Sequence, residues 1–303
     1  MVIAITGGTG FIGKFLVKKY LSKGHQVRIL SRKALPKNKK YEVFIGDLTN
    51  PKVELSGFLE GVDILYHCAG EVSNESIMKE LHVNGTNRLI NQAHGRVKRW
   101  VQLSSVGAYG ICRSGVITEE SLEQPNNVYE TSKTISDILV KDSGIPYTIL
   151  RPSNVFGKGM TNQSLYKLFS MIKKGIFFYI GKKGATLNYI HVNDVVNALI
   201  NCGESTNAIG EVFNISQTIT IEKLSYSIME ELDIERKFLR FPEWLIRMIV
   251  FIFRVMPTFP LKSSRIDALT GMCIYNSNKI QKLLGFEFIA SLEENFKLLI
   301  KEK

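Results

Sequence analysis

The chain has 303 residues, of which 45% are hydrophobic and 22% are charged. This ordinary globular composition excludes a largely disordered chain, a collagen-like repeat and a coiled coil, and the length allows two domains or one large domain with an added lobe. The formal net charge of +11 indicates either an anionic ligand or simply a lysine-rich solvated surface; nucleic acid is not expected, because no basic stripe alternates with aromatic residues.

The chain contains four widely spaced cysteines, namely Cys68, Cys112, Cys202 and Cys273. No pair forms a C-x-x-C motif and no histidine lies at zinc-ligand spacing from any of them, so no metal site is predicted. We expect four reduced thiols in a cytoplasmic protein. The first six residues are apolar but lack a basic flank and lead directly into glycines, which predicts a strand and not a signal peptide.

The first 150 residues alternate short strand-like runs with longer segments of helical period. The predicted strands are Val2–Ile5, Gln26–Leu30, Glu42–Ile45, Asp63–Tyr66, Trp100–Leu103 and Tyr147–Leu150. The predicted helices between them include Phe11–Ser22, Val83–His94 and Tyr129–Ser143. This alternation is typical of a parallel sheet covered on both faces, and it predicts an α/β fold of the doubly wound Rossmann type.

The alternation becomes less regular after residue 155. The predicted helices there are Ser164–Lys174, Asn193–Asn201, Ile221–Leu232 and Ser291–Lys301. We therefore predict a dinucleotide-binding domain over residues 1–155 and a smaller, mostly helical substrate lobe over residues 156–303. A short strand, Tyr189–Val192, within a segment near residues 187–202, is expected to rejoin the first domain.

The most apolar stretch of the chain is Trp244–Met256, whose 13 residues are too few to span a bilayer. Arg247 and Arg254 interrupt it seven residues apart, hence on one helical face. Three interpretations are open. We predict a core helix with one polar stripe; the alternatives are a lobe helix that turns arginine towards an anionic substrate, and a membrane-surface anchor, which we do not expect.

A glycine-rich loop directly follows the first predicted strand and opens the first helix. Its Gly7, Gly10 and Gly13 are spaced three residues apart. In this context Gly7 allows a tight turn, Gly10 lets the backbone approach a pyrophosphate, and Gly13 lets helix and strand pack closely. The free N–H groups at the start of the helix favour an anion. The loop therefore predicts a dinucleotide site.

The second strand ends without the acidic residue that would bind the adenosine ribose and select NAD. Ser31 occupies that position, and the next nine residues include Arg32, Lys33, Lys37, Lys39 and Lys40. A guanidinium can hold a 2′-phosphate through two hydrogen bonds, so we predict that NADP is preferred over NAD; a solvated basic loop is the alternative. Asp47, after the third strand, would accept from the adenine amino group or serve as a turn or capping residue.

Three further motifs complete a pattern. Leu103-Ser104-Ser105 ends a strand, Tyr129 and Lys133 lie four residues apart on one helical face, and Arg151-Pro-Ser-Asn-Val-Phe-Gly157 ends the next strand. With the glycine loop, they resemble the extended short-chain dehydrogenase/reductase superfamily, and most closely its NAD-dependent epimerase/dehydratase family. Further matches are His67-Cys-Ala-Gly70, Val83-Asn-Gly-Thr86, Tyr189-Ile-His-Val-Asn-Asp194 and Leu283-Leu-Gly-Phe286.

The resemblance implies an enzyme that moves a hydride to or from a carbinol carbon. Tyr129 would be the acid or base, and Ser105 would be a hydrogen-bond partner of the reacting oxygen. Lys133 would adjust the pKa of Tyr129 and bind the ribose. A phenol is a poor base at neutral pH, and an ammonium group one helical turn away would favour the phenolate. Ser105 is implied rather than Ser104 because it stands four residues before Tyr109-Gly110.

The resemblance also implies which residues bind cofactor and substrate. The cofactor set is Gly7, Gly10, Phe11, Ile12, Gly13, Arg32, Asp47, Leu48, Cys68, Ala69, Gly70, Asn84, Tyr129, Lys133 and Pro152. Asn154 matches a position near the substrate, and Arg265 lies in a segment that loosely matches a diphosphate-binding one. His191 and Asp194 match a motif whose role is partly structural.

Three function classes follow. The first is an enzyme acting on a nucleotide-linked sugar, as an epimerase or 4-ketosugar reductase, with Arg247, Arg254 and Arg265 available for the diphosphate. The second is an NADP-dependent ketone or aldehyde reductase similar to dihydroflavonol reductases or hydroxysteroid dehydrogenases, which would need an apolar pocket. The third, a non-enzymatic dinucleotide sensor, conflicts with the retained Tyr–Lys pair. The sugar, the direction of reaction and the number of subunits stay open, and a homodimer is compatible with the family.

Overall fold

A computed structural model describes residues 1–36, 40–253 and 263–301. Its strands are β1 (Val2–Thr6), β2 (Gln26–Ser31), β3 (Glu42–Ile45), β4 (Val62–His67), β5 (Val97–Leu103), β6 (Ser114–Ile117), β7 (Tyr147–Pro152), β8 (Asn154–Phe156), β9 (Tyr179–Ile180), β10 (Thr186–His191), β11 (Glu211–Ile215), β12 (Gln217–Thr220), β13 (Arg240–Phe241) and β14 (Met272–Tyr275). Its helices are α1 (Phe11–Ser22), α2 (Ser56–Leu59), α3 (Glu75–Lys79), α4 (Gly85–Ala93), α5 (Val128–Lys141), α6 (Ser164–Lys174), α7 (Val192–Glu204), α8 (Ile221–Glu231), α9 (Glu243–Ile252), α10 (Ser263–Thr270), α11 (Asn278–Leu284) and α12 (Leu292–Lys301). A π-helical turn, Glu80–Asn84, joins α3 to α4.

Within the described residues, seven strands form one parallel sheet in the order β11-β7-β5-β4-β1-β2-β3. Helices α1 and α7 pack on one face through residues such as Leu16 and Leu199. Helices α2, α4 and α5 cover the other through Phe58, Leu89 and Val140. Burial on both faces explains the near-continuous apolar runs of the strands, and the predicted doubly wound α/β fold is confirmed.

The strand order reverses between β1 and β4, because β2 and β3 extend the sheet on one side and β5, β7 and β11 on the other. In doubly wound sheets, ligands bind at such a reversal, beyond the carboxyl ends of the strands. The glycine loop follows β1, and the His67-Cys-Ala-Gly70 run begins at the last residue of β4. The fold thus brings these two motifs to the same crevice.

The strand around Tyr189 does not rejoin the main sheet as we predicted. It belongs to β10, which pairs with β8 and β12 in a separate three-stranded sheet of the described chain. The returning elements are α7 and β11, because Phe213 and Ile215 of β11 are fully buried whereas β10 is mostly half-exposed. The division at residue 155 stays a prediction.

The second half of the chain surrounds an aromatic core of its own. Helices α6, α8 and α12 pack against the three-stranded sheet through residues such as Phe169, Leu224 and Phe296. The rings of Phe156 and Phe296 lie 4.6 Å apart between centroids. The short strand β8 connects this core to the carboxyl end of β7.

The prediction that α9 is a core helix is wrong. Of its ten residues, all of which the structure describes, Ile246 alone is buried, at 6% exposure. Trp244, Met248, Phe251 and Ile252 are 67%, 47%, 62% and 61% exposed. The hydrophobicity of the segment indicated burial, but Ile246 packs only on a small cluster. The predicted extension from Arg254 to Met256 lies outside the described residues, and none of the described helices is long and apolar enough to cross a bilayer.

The cysteines correct a second prediction. Cys112 and Cys273 form a disulfide, with Cα atoms 5.8 Å apart. The parallel pairing of β6 with β14 brings these distant residues together, and linear spacing could not reveal it. Cys68 and Cys202 are free thiols, and all four cysteines lie in the described part of the chain.

Candidate active site

The glycine loop is shaped by close contacts between β1, α1 and the segment after β4. Gly7 has a positive φ of 67°, and a Cβ there would lie 2.7 Å from the backbone of Cys68 and Ala69. A Cβ on Gly13 would collide with the carbonyl of Gly7. These two positions therefore require glycine for the turn and for the packing of helix on strand.

The geometry at Gly10 fits a pyrophosphate. Gly10 caps α1 without a side chain, so the first N–H groups of the helix, from Phe11 and Ile12, have no side-chain acceptor from it. A Cβ on Gly10 would approach only the carbonyl oxygen of Gly7, at 3.1 Å, among the described residues. The first helical turn, Phe11-Ile-Gly-Lys14, contains no acidic residue. An anion at this helix start would meet free donors and the positive end of the dipole.

The adenosine end of the crevice carries Arg32 next to Ser31. The Ser31 hydroxyl donates to the carbonyl of Lys33 at 2.7 Å, while Arg32 is exposed. Glu71, after β4, has its pKa lowered mainly by backbone N–H groups, and the charge of Arg32 contributes. Arg32 therefore lies close enough to Glu71 for its charge to act on that carboxylate. The predicted basic residues Lys37 and Lys39 lie outside the described residues.

Asp47 is engaged in a turn. Its Oδ1 accepts from the N–H of Thr49 at 2.9 Å and from the Thr49 hydroxyl at 2.8 Å. This matches the alternative interpretation of Asp47 as a turn residue, and its second oxygen is the one left for an adenine amino group. Leu48 is buried, and its carbonyl accepts from Arg88.

The other predicted cofactor residues lie at the ends of neighbouring strands. Cys68, Ala69 and Gly70 follow β4, and Pro152 ends β7. Burial raises the pKa of the Cys68 thiol to about 12, so this cysteine is not a nucleophile. Asn84 stands slightly apart: it is exposed in the π-helical turn, and its amide donates to Glu80.

Ser105 and Tyr129 meet at the carboxyl edge of the sheet. Ser105 follows β5, and Tyr129 is in the first turn of α5, whose start is fixed by the Asn127 side chain accepting from the N–H of Glu130. The Ser105 side chain lies close enough to the Tyr129 phenol to lower the pKa of the phenol. Ser104 instead donates to Asp137 at 2.7 Å in the interior. The structure thus brings Ser105, and not Ser104, to Tyr129.

Lys133 is buried one helical turn after Tyr129, and its Nζ donates to the carbonyl of Leu103 at 2.6 Å. Burial lowers the pKa of Lys133, while Asp137 opposes this shift. Burial raises the pKa of Tyr129, the carboxylates of Asp137 and Glu130 raise it further, and the nearby Ser105 side chain opposes the shift. The pKa of Tyr129 is therefore raised and not lowered as we expected, because desolvation and negative charge outweigh the effect of Ser105.

An ion pair beneath Lys133 was missed in the sequence. Asp137 and Arg151 are fully buried, with Arg151 Nη2 2.9 Å from Asp137 Oδ2, and the same nitrogen donates to Glu123 at 2.7 Å. Asp137 stands four residues after Lys133 and hence on the same helical face, and Arg151 is the first residue of the Arg151–Gly157 motif. The four-residue spacing of Lys133 and Asp137 was the signal in the sequence that could have revealed this pair. The pair fixes β7 to α5, which carries Tyr129 and Lys133.

His82 was also missed, although it directly precedes the Val83-Asn-Gly-Thr86 motif. Its Nε2 accepts from the N–H of Glu71 at 2.8 Å, so its Nδ1 carries the proton towards the Ser132 hydroxyl, at 2.8 Å. Ser132 in turn donates to the carbonyl of Tyr129. The rings of His82 and Tyr129 pack edge to face at 5.8 Å. His82 thus braces the start of α5, and no sequence spacing signalled it.

The residues predicted to bind substrate lie on β8 and α10, near β10. Asn154 is exposed and donates to the carbonyl of Asn188 at 3.1 Å, tying β8 to β10. Arg265 is exposed on α10 and lies close enough to Tyr189 to lower its pKa, although burial raises that pKa overall. Arg247 is engaged elsewhere, in ion pairs with Glu243 and Asp267. Of the two predicted lobe arginines that the structure describes, Arg265 is therefore the one without these ion pairs, and Arg254 lies outside the described residues.

Comparisons with known proteins identify the family of the chain. A family model, the NAD dependent epimerase/dehydratase family, matches residues 3–216. The UDP-glucose 4-epimerase of Vibrio cholerae is 26% identical over 97% of this chain and 93% of its own length. The decarboxylating sterol-4-alpha-carboxylate 3-dehydrogenase of Mus musculus is 25% identical over 96% of this chain and 87% of its own length.

One solved structure illustrates the likeness of fold. The crystal structure of a UDP-glucuronic acid 4-epimerase from Bacillus cereus in complex with NAD superposes with a TM-score of 0.75 at 19% identity, covering 98% of this chain and 94% of that one. At this identity the similarity is evidence for the fold alone. The family match extends over the glycine loop, Ser105, Tyr129 and Lys133. The chain therefore belongs to the NAD dependent epimerase/dehydratase family, as a nicotinamide dinucleotide-dependent enzyme of the extended short-chain dehydrogenase/reductase type.

Proposed function

We propose that this enzyme transfers a hydride to or from a secondary alcohol carbon of a nucleotide-linked sugar, by epimerisation or 4-keto reduction, and prefers NADP(H) to NAD(H). The observation that carries the proposal is that Ser105 lies near the Tyr129 phenol, with Lys133 buried one helical turn further along the same helix. A nicotinamide ring, when bound, supplies the hydride acceptor or donor. The residues of the chain handle the proton on the substrate oxygen.

Tyr129 exchanges that proton, and Ser105 orients the oxygen by a hydrogen bond. Because burial raises the pKa of Tyr129, the phenol is protonated at neutral pH in the protein alone. A protonated phenol is suited to donating to a developing alkoxide, which is the direction of carbonyl reduction. Lys133 supplies positive charge that favours the phenolate when the reaction runs as an oxidation.

The nucleotide part of the substrate is assigned to Arg265. This guanidinium is exposed on α10 and lies near Tyr189, whose strand pairs with the one that carries Asn154. A guanidinium binds diphosphate oxygens through paired, charge-assisted hydrogen bonds. The full-length similarity to a UDP-glucose 4-epimerase supports the same substrate class.

Binding of uridine and thymidine diphosphates to the cofactor-loaded enzyme tests this assignment. Arg265→Ala should weaken that binding about tenfold, the scale of one charge-assisted contact, and should raise KM with little change in kcat. Lys282→Ala, at an exposed cation of α11, is the control and should change neither value. Absence of any diphosphate affinity in the unmodified enzyme would contradict the sugar assignment.

A second candidate is oxidation or reduction of a steroid-like alcohol. The full-length similarity to a sterol dehydrogenase favours it. The proton chemistry of Tyr129 and Ser105 would be the same. Efficient turnover of a 3-hydroxysteroid, without affinity for either nucleoside diphosphate, would keep the mechanism and replace the substrate.

A further inference from the structure

The outer side of α9 presents an arc of apolar side chains to solvent. At about 100° per residue, Trp244, Met248, Phe251 and Ile252 fall within roughly one quarter to one third of the helix circumference. Ile246, the buried residue of this helix, lies on the opposite side. A surface helix ordinarily turns its polar face outward, and α9 does the reverse.

The charged residues of α9 are held away from this arc and neutralise one another. Glu243 pairs with Arg247 and Arg113, at 2.7 Å in each case. Asp267 of α10 pairs with the same two arginines, at 2.6 and 2.7 Å. This network of two acids and two bases has no net charge, so it neither repels nor attracts an anionic surface.

Three exposed lysines lie near the start of α9. Lys182 and Lys183 are exposed in the turn after β9, next to α9, since a Cβ on the adjacent Gly181 would lie within 3.6 Å of Glu243. Lys237 is exposed just before β13, the strand that leads into α9. Strands β9 and β13 pair with each other, which places both groups of lysines beside the start of the helix.

We propose that this surface, the α9 face (Trp244, Met248, Phe251 and Ile252, with Lys182, Lys183 and Lys237), docks on a membrane that contains anionic lipids. The apolar arc would enter the interface between headgroups and acyl chains, where tryptophan is favoured, and the lysines would contact anionic headgroups. Ten residues are too few to cross a bilayer, so the helix would lie in the plane of the surface.

Charge selects a lipid surface over a second copy of the chain. A symmetric dimer formed through the α9 face would bring two sets of lysines into one interface, where like charges repel. An anionic membrane instead complements them. The proposal does not rest on the identity of the substrate, although α9 packs on α10, which carries Arg265, and docking would turn that side of the lobe towards the lipid.

The two tryptophans of the chain make the test direct, because Trp100 is fully buried and Trp244 is exposed. The full-length protein is mixed with vesicles of phosphatidylcholine alone, or with about one third phosphatidylglycerol. We expect flotation with the anionic vesicles, weakened by salt, together with a blue shift of the Trp244 emission. Flotation without any change in Trp244 emission would overturn the proposal, as would an absence of flotation.

Variants separate the contributions. Met248→Ser and Ile252→Ser should each weaken vesicle binding by up to about tenfold, and Lys182→Glu with Lys183→Glu by about tenfold or more. Ile209→Ser, at an exposed apolar position after α7, is the matched control and should bind as the parent does. Equal binding by all variants would overturn the proposal. So would a concentration-dependent dimer in sedimentation that Met248→Ser disrupts, because the α9 face would then be a contact between copies.

Discussion

Helices α1 and α9 both lie at the surface, and they present opposite faces to solvent. In α1, Leu16, Val17 and Tyr20 are buried against the sheet, and exposed lysines cover the outer side. In α9 the outer side is apolar and a single residue is buried. Helix α1 buries its apolar residues and presents polar ones to solvent. Helix α9 presents apolar residues to solvent, where polar ones are ordinarily favoured.

The same contrast holds for polar groups. At the carboxyl ends of β1 and β4 several polar groups are buried and bonded to one another: His67 lies 2.6 Å from the Thr6 hydroxyl and 2.9 Å from that of Thr86. On the substrate side, Asn154 and Arg265 are exposed. We infer that the cofactor half is built in advance for one chemistry, whereas the substrate half is adapted to recognition at its surface.

The strongest challenge to a preformed cofactor half is Gly10→Asp. Its carboxylate would occupy the space left for the pyrophosphate and oppose it in charge, so we expect dinucleotide binding to be abolished. Gly10→Ala is the control, because its Cβ would meet only the Gly7 carbonyl, at 3.1 Å, in the part of the chain that the structure describes. Calorimetric titration measures the dinucleotide affinity of each variant. Undiminished affinity in a folded Gly10→Asp protein would show that the glycine loop does not bind the dinucleotide.

Tyr129→Phe tests the chemical step within that half. Loss of the phenol should lower kcat by about a hundredfold or more, the usual scale for a positioned proton donor, and should leave cofactor affinity nearly unchanged. Tyr226→Phe, at an exposed tyrosine of α8, is the control. Full activity in Tyr129→Phe would refute the assigned acid.

Arg32→Ala tests the edge of the cofactor half. One charge-assisted contact to a 2′-phosphate corresponds to about ten- to a hundredfold in affinity, so the variant should lose that factor for NADP(H) and little for NAD(H). Lys33→Ala should have a smaller effect. Titration of both cofactors at physiological salt is the measurement, and an unchanged ratio would mean that Arg32 is merely a solvated residue beside Glu71.

The smallest expected effect concerns His82. Burial lowers the pKa of this histidine from 6.5 to about 3. The unfolded chain binds a proton at this residue below pH 6.5 and the folded chain does not, so its contribution to stability is full above that pH and is lost as the pH falls towards 3. Urea unfolding of His82→Gln should therefore show a weaker loss of stability with acid than the parent. His94→Gln, at an exposed histidine, is the control. A parallel pH profile in His82→Gln would show that His82 is protonated in the fold.

Much of the cofactor half was predictable, because its signals are local. The bounds of α1 match the prediction because glycine precedes the helix and the apolar period is regular up to Ser22. All six predicted strands of the first domain are present, and each is extended by at most three residues or unchanged. Ser105 and Tyr129 also lie near each other, as their positions after a strand and at the start of a helix indicated.

The features that escaped prediction depend on what lies opposite a residue in space. Hydrophobicity reported the apolar character of α9 but not the direction of its apolar side. Cys112 and Cys273 are partners only because β6 and β14 pair. His82 acts through the backbone of Glu71 and the hydroxyl of Ser132, and neither contact leaves a spacing in the sequence.

The Cys112–Cys273 bond gives the chain a closed covalent ring, since its ends are 161 residues apart in sequence. Tyr129, Lys133 and Arg265 lie inside the ring, and the glycine loop lies outside it. A single proteolytic nick within the ring would leave both fragments tethered through sulfur, and they would separate on a denaturing gel only after reduction. A nick in the loop between β2 and β3 would instead release the N-terminal fragment whether or not reductant is present.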